Sequence, residues 1–305
     1  VEKKGDLPPL PDILINLENR VNDPDYDIFE ISGIIETEPV LSGRLIQLSN
    51  SVLFGGGREK TTDLNGAVMR LGIKMILDLA YTLKLPGLFK KPKGFDQIQF
   101  WTHSLGVAYL TRSLAYIVKI PQEEIEFAYI CGLMHDIGVM VFDHLIPDEY
   151  SQFLKKIKSS QITLAENEME TFGITHAELG ARFIERWWPV SPNLVQAIRI
   201  HHDSPGTDGD VKHIAHLLTT ANLLANQNEF SNGIVPESTA PLEYGVLDKL
   251  DIDFEELEIL IENTKEGLDA AQSLLSGACF LECSAETILR PYCRLFLLKH
   301  PTKSG

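Results

Sequence analysis

The 305 residues carry 27 basic and 43 acidic side chains, a formal net charge of −16, with 44% hydrophobic residues. That length buries one large core or two modest ones, and that charge opposes broad binding to nucleic acid or anionic membranes, whose phosphates are normally neutralised by Lys and Arg. No apolar stretch approaches the roughly 20 residues that span a bilayer, Val1-Glu-Lys-Lys-Gly-Asp6 lacks the apolar core of a secretion signal, and the four cysteines show no paired framework, so a cytoplasmic protein is expected.

Helical periodicity runs almost throughout and sustained apolar/polar alternation is missing, which predicts an all-α fold. Pro8, Pro9 and Pro11 lead into a first helix carrying Ile13, Leu14 and Leu17. Asp23-Pro24-Asp25 turns the chain into a second with Ile28, Ile31, Ile34 and Ile35, and Pro39 separates a third containing Leu41, Leu45 and Leu48. The loop Phe54-Gly-Gly-Gly57 follows a helix and lacks the Gly-Lys-Ser/Thr ending of a phosphate loop, so it reads as a turn. One longer helical region, from about Asn65 to Lys84, carries Val68, Leu71, Ile76 and Leu79. Lys90-Lys91-Pro92-Lys93-Gly94 reads as a solvated linker, a docking patch for an acidic partner being the alternative. Histidine-bearing helices then run to about Asn228, and a last helical section extends from about Leu247 to Leu298. The expected parts are an N-terminal helical subdomain over 1–95, a helical core over 96–235 and a C-terminal helical extension over 236–305. Cys279 and Cys283, four apart on a probable helix, are expected to be buried thiols, a metal or redox role being the alternative. At least one of Trp187 and Trp188 is expected in the core, with Trp187 near the face of Leu179, Phe183 and Ile184.

The chemistry-bearing pattern starts in Ala128-Tyr-Ile-Cys-Gly-Leu-Met-His135-Asp136-Ile-Gly138, where an apolar helical run delivers a histidine and a carboxylate side by side. His103 precedes them, near a helix start. His176 follows Thr175, a residue suited to capping the next helix, and His201 and His202 end the run Leu194-Val-Gln-Ala-Ile-Arg-Ile200. A transition metal needs ligands converging from several helices, because residues on one helix fan out around it. This set has that spacing, whereas His144, His213, His216 and His300 fall outside it.

These motifs, with Leu7-Pro-Pro-Leu-Pro11, Ile35-Glu-Thr-Glu-Pro39, Ala67-Val-Met-Arg-Leu71-Gly72 and Thr175-His176-Ala-Glu-Leu-Gly180, resemble the HDOD (HD-related output domain) family of bacterial signalling modules. That family is related to the HD and HD-GYP metal-dependent phosphohydrolases, and the resemblance spans roughly Leu7 to Ala225. It implies an HD-like helical bundle in which His103, His135 and Asp136 match the superfamily's metal ligands and His176, His201 and His202 match extra histidines of the HD-GYP branch. Asn222 stands where HD enzymes have a final aspartate ligand, Val139 where the HD-GYP branch has a lysine, and His202-Asp203-Ser-Pro205-Gly206 where it has the Gly-Tyr-Pro loop.

An amide in place of a carboxylate lowers the charge that holds a divalent cation, and valine in place of lysine removes a phosphate partner. The resemblance therefore implies a regulatory module with a degenerate metal pocket, binding signalling protein partners or a ligand such as a nucleotide, with no catalytic residue assigned. Its alternative is a metal-dependent phosphohydrolase or cyclic-dinucleotide phosphodiesterase; a metal-binding sensor without catalysis is a third reading. The expected cofactor is a divalent transition metal, Fe, Mn, Zn or Ni, in preference to Mg.

Overall fold

A computed structural model of the chain describes residues 7–23, 25–50, 60–202, 212–228, 230–234 and 254–275. These are helical, with no strand among them. The glycine-rich loop lies outside the described residues, as do Cys279, Cys283, Cys293, His300 and most of the segment after Pro236.

Packing divides the described residues into two units, one within 10–86 with 262–275, the other within 7–9 with 87–261. In the first, α1 (Asp12–Val21), α2 (Ile28–Glu36), α3 (Pro39–Ser49), α4 (Leu64–Leu71) and α5 (Ile73–Lys84) enclose Leu14, Leu17, Ile31, Ile35, Leu45 and Ile76. Asp27 and Asp63 cap α2 and α4 by accepting backbone N–H bonds from Phe29 and Gly66. The Asn50 side chain clasps Thr61 by bonding both its N–H and its carbonyl at 2.7 Å. The pattern from Asn65 to Lys84 suggests one helix, but the chain breaks at Gly72, whose φ of +81° is in the region that glycine reaches without a Cβ penalty.

The second unit is built around α6 (Gln97–Val118), buried on every side from Phe100 to Ala115. Asp96 starts it by accepting from the N–H groups of Ile98 and Gln99. Lys119, in the left-handed region at φ 56°, ends it. Around it lie α7 (Gln122–Met134), α8 (Ile137–Leu145), α9 (Pro147–Ile157), α10 (Leu164–Phe172), α11 (His176–Trp187), α12 (Pro192–Arg199) and α13 (Lys212–Gln227). α14 (Phe254–Leu275) crosses the division after Ile261.

Two close crossings set the geometry. A Cβ on Gly132 would lie 2.5 Å from Ala108 Cα, so α7 presses its backbone against α6. A Cβ on Gly138 would lie 1.9 Å from the His176 carbonyl oxygen and 2.8 Å from Gly180 N, so α8 does the same against α11. Each motif glycine thus sits where only a hydrogen fits.

One sequence expectation is corrected here. Gln122–Leu145 is long and apolar enough to cross a membrane by length and composition, and its apolar window is 89% buried inside the protein. Every residue from Ala128 to Asp143 is buried against the rest of the protein, which accounts for the apolar composition of that stretch. The expectation that at least one of Trp187 and Trp188 lies in the core holds, and the buried one is Trp188. Trp187, on the helix, is 47% exposed, while Trp188 is 3% exposed. The helix ends at Trp188 in an extended conformation, φ −123°, which turns that indole back against Phe183 at a ring distance of 4.8 Å. Lys93, in the expected linker, donates to Asp148 at 2.8 Å.

Candidate metal centre

His103 lies in the second turn of α6, His135 and Asp136 form the junction between α7 and α8, His176 opens α11, and His201 and His202 follow α12. The Thr175 hydroxyl caps α11 by accepting from Glu178 N. The two glycine crossings draw these elements together. The ligating atoms of His103, His135 and Asp136 form one group and those of Asp136, His176, His201 and His202 another, each group lying within 4.8 Å. Asp136 belongs to both.

Its two oxygens face opposite ways. Oδ2 lies 3.2 Å from His135 Nε2 and 3.7 Å from His103 Nε2, and Oδ1 lies 3.3 Å from His176 Nε2 and 3.5 Å from His201 Nε2. All these residues are buried, and only His202 reaches the surface.

The far side of each ring fixes its tautomer. Nδ1 of His103 donates to the Phe230 carbonyl at 2.6 Å, that of His135 to Gly132 at 2.7 Å, and that of His201 to Ile198 at 2.7 Å. A neutral imidazole has one proton, so these Nε2 atoms point lone pairs inward. His103 Nε2 and His135 Nε2 face each other at 3.3 Å, beside a carboxylate oxygen. His201 Nε2 is buried with no hydrogen-bond partner. Ring nitrogens gathered in this way around a buried carboxylate are what a cation satisfies, and five imidazoles with one carboxylate suit borderline transition ions. The residues fit the metal that the sequence pattern implies.

Electrostatics of the metal-free cluster follow from burial and neighbours. Burial holds the imidazoles of His103 and His201 down to about 4. Burial also disfavours the Asp136 carboxylate, but the imidazoles packed around it, His135 first and then His176 and His201, outweigh it and hold its pKa well below the usual range. His176 goes the other way. Burial opposes its cation, yet Glu168 and Asp136 raise it to about 10. Its Nε2 lies 2.7 Å from His202 Nε2.

Asn222 is buried beside His103, with its Oδ1 accepting from Asn226 Nδ2 at 3.1 Å. The structure thus brings together all seven residues singled out in the sequence. It adds three groups that the pattern conceals. Asn232 Nδ2 donates to Asp136 Oδ2 at 3.1 Å, the Phe230 carbonyl holds His103, and the fully buried Glu168 holds His176 Nδ1 at 2.7 Å. The first two belong to a short strap after α13 with no motif character. Val139 is fully buried, so its position presents nothing to a phosphate.

Comparison with known proteins places this arrangement. The HDOD domain family matches residues 7–204. An uncharacterized protein of Treponema pallidum (strain Nichols) is 27% identical over 242 residues, which cover 79% of this chain and 45% of that protein. The chain therefore spans less than half the length of that relative. Among solved structures, an HDOD domain protein of unknown function from Geobacter sulfurreducens superposes with a TM-score of 0.71 at 24% identity, covering 92% of this chain and 96% of that one. A protein from Marinobacter aquaeolei VT8, provisionally described as a signal transduction protein, gives 0.69 at 23%, covering 88% and 60%. A protein from Shewanella amazonensis SB2B, provisionally described as a phosphohydrolase, gives 0.61 at 22%, covering 94% of each. At these identities the likeness is one of fold. The family match and the all-helical fold together establish that this chain belongs to the HDOD domain family.

Proposed function

We propose that the chain is a signal-transduction output module whose buried histidine cluster holds divalent transition metal in two half-sites joined by Asp136. In this reading it acts by binding a protein partner or a small ligand, and phosphodiester hydrolysis is absent or very slow. The observation that carries the metal assignment is the pair of inward-facing Nε2 atoms of His103 and His135, 3.3 Å apart in a fully buried site. His103, His135 and Asp136 hold one ion, and Asp136, His176, His201 and His202 hold the other, with Fe, Mn, Zn or Ni preferred to Mg.

A bound ion of this class polarises phosphate oxygens and lowers the pKa of coordinated water. The protein's own residues give that chemistry little help. Position 139 is buried and uncharged, and Asn222 supplies a neutral amide beside His103. The likeness to a protein described as acting in signal transduction agrees with the regulatory reading. The phosphohydrolase reading draws on one observation, the exposure of His202, which leaves the His176 half-site open at its rim.

The test uses protein purified without chelator, loaded with Mn, Fe or Zn, and assayed against cyclic dinucleotides, other phosphodiesters and phosphomonoesters. The expected result is bound metal that is lost in His135→Ala, with no turnover above background. Robust metal-dependent turnover that disappears in His135→Ala replaces the regulatory reading with the enzymatic one.

A further inference from the structure

Outside the ligand set stands a buried carboxylate with three donors. Glu168, on α10, is fully buried. Its Oε2 accepts from the backbone N–H of His176 at 2.6 Å and from His176 Nδ1 at 2.7 Å, and its Oε1 accepts from the Tyr150 hydroxyl at 2.7 Å. Tyr150 is itself fully buried, stacked on Phe142 at 4.9 Å with the rings 8° from parallel, and flanked by Phe153 and Phe172. The carboxylate cannot turn without leaving a buried donor unsatisfied, a costly outcome.

We propose that Glu168, held by Tyr150, is the positioning residue of the His176 half-site: it fixes the orientation of the His176 ring and commits its Nδ1 proton, so that Nε2 is presented toward Asp136 and His202. Each other buried ring of the cluster leans on a backbone carbonyl, a neutral acceptor. His176 alone leans on a carboxylate, and an anion behind an imidazole strengthens it as a metal donor. The two half-sites therefore differ in kind, with Glu168 tuning only one. This inference rests on the metal reading above for its consequence, and on the hydrogen bonds alone for its geometry.

The experiment is a graded series, Glu168→Gln, Glu168→Leu and Tyr150→Phe, with zinc titration, melting curves and nitrogen-edited NMR of the imidazoles on each protein. Gln keeps an oxygen acceptor and loses the charge; Leu loses both. Zinc affinity of the His176 half-site is expected to fall about 10-fold in Gln and about 100-fold in Leu, with Tyr150→Phe nearer wild type. The His103 half-site should keep its affinity throughout. A merely structural role predicts that both half-sites weaken together, and that Gln brings no rescue relative to Leu.

If Leu does not fold, Gln and Tyr150→Phe still carry the comparison. In the wild-type protein a slowly exchanging, downfield Nδ1 proton on His176 is expected with or without zinc. Its absence in the metal-free protein overturns the positioning role whatever the zinc result. Its presence in a protein that takes up no zinc leaves the hydrogen bonds standing and overturns the metal reading instead.

Discussion

Asn232 donates from its Nδ2 to Asp136 Oδ2 at 3.1 Å, across 96 residues of sequence. The bond orients the carboxylate shared by both groups of ligands. Because Asn232 Oδ1 also accepts from Ile234 N, the amide is fixed from both ends. Replacing Asn232 by Ala should therefore weaken both half-sites, whereas His103→Ala and His201→Ala should each remove one. By the ligand count, metal content should drop from about two ions per chain to about one in either histidine variant. Equal loss of both ions in His103→Ala would contradict the division.

Gly138→Ala tests the crossing of α8 and α11. Its Cβ would sit 1.9 Å from the His176 carbonyl oxygen, an overlap of backbone that no side-chain rotation relieves. A loss of about 3 kcal/mol or more is expected in denaturant unfolding, with the His176 half-site more affected than the His103 half-site. A variant as stable as wild type would show that the helices are farther apart than described.

In the metal-free protein, His103 and His201 sit at about 4 against an ordinary value of 6.5. The unfolded chain takes up those protons near 6.5 and the folded chain only near 4, so stability present above 6.5 is lost as pH falls through that window. His176, raised to about 10, has the opposite sign: its contribution is full below 6.5 and is lost as pH rises toward 10. Melting temperatures of chelator-treated protein should peak near 6.5 and decline on both sides, and His201→Gln should make the acid limb shallower. A profile flat from pH 4 to 10 is incompatible with these assignments.

Asn222→Asp returns the carboxylate expected of an HD enzyme to a buried position beside His103. Zinc should bind the His103 half-site more tightly, while the metal-free variant should melt lower, since it buries a charge that only the cation compensates. Val139→Lys, in contrast, should be strongly destabilising and bring no turnover, because the position is in the core. Calorimetric zinc binding and paired melts with and without chelator read both effects.

The candidate cluster is legible in the sequence because each member is a rare residue type beside a strong local signal: a helix end for His135 and Asp136, a Thr175 cap for His176, the end of an apolar run for His201 and His202. The helical fold is legible for the same reason of periodicity. What supports the ligands is less so. Glu168 lies in Leu164-Ala-Glu166-Asn-Glu168-Met-Glu170, which reads as a solvated acidic face, and only tertiary packing shows that Glu168 alone of the three is fully buried. Phe230 contributes through its carbonyl, for which sequence carries no code. The break at Gly72 and the inward turn of Trp188 are likewise decided by backbone conformation more than by hydrophobic pattern.

Elemental analysis of the chain purified without chelator, set beside Asp136→Ala prepared identically, tests the shared-carboxylate centre most directly. The account predicts bound Fe, Mn, Zn or Ni in the wild type, approaching about two ions per chain on saturation, and loss of both in Asp136→Ala with the helical fold retained. A wild-type chain that stays metal-free after exposure to all four ions, or an Asp136→Ala chain that binds as much as wild type, would contradict it.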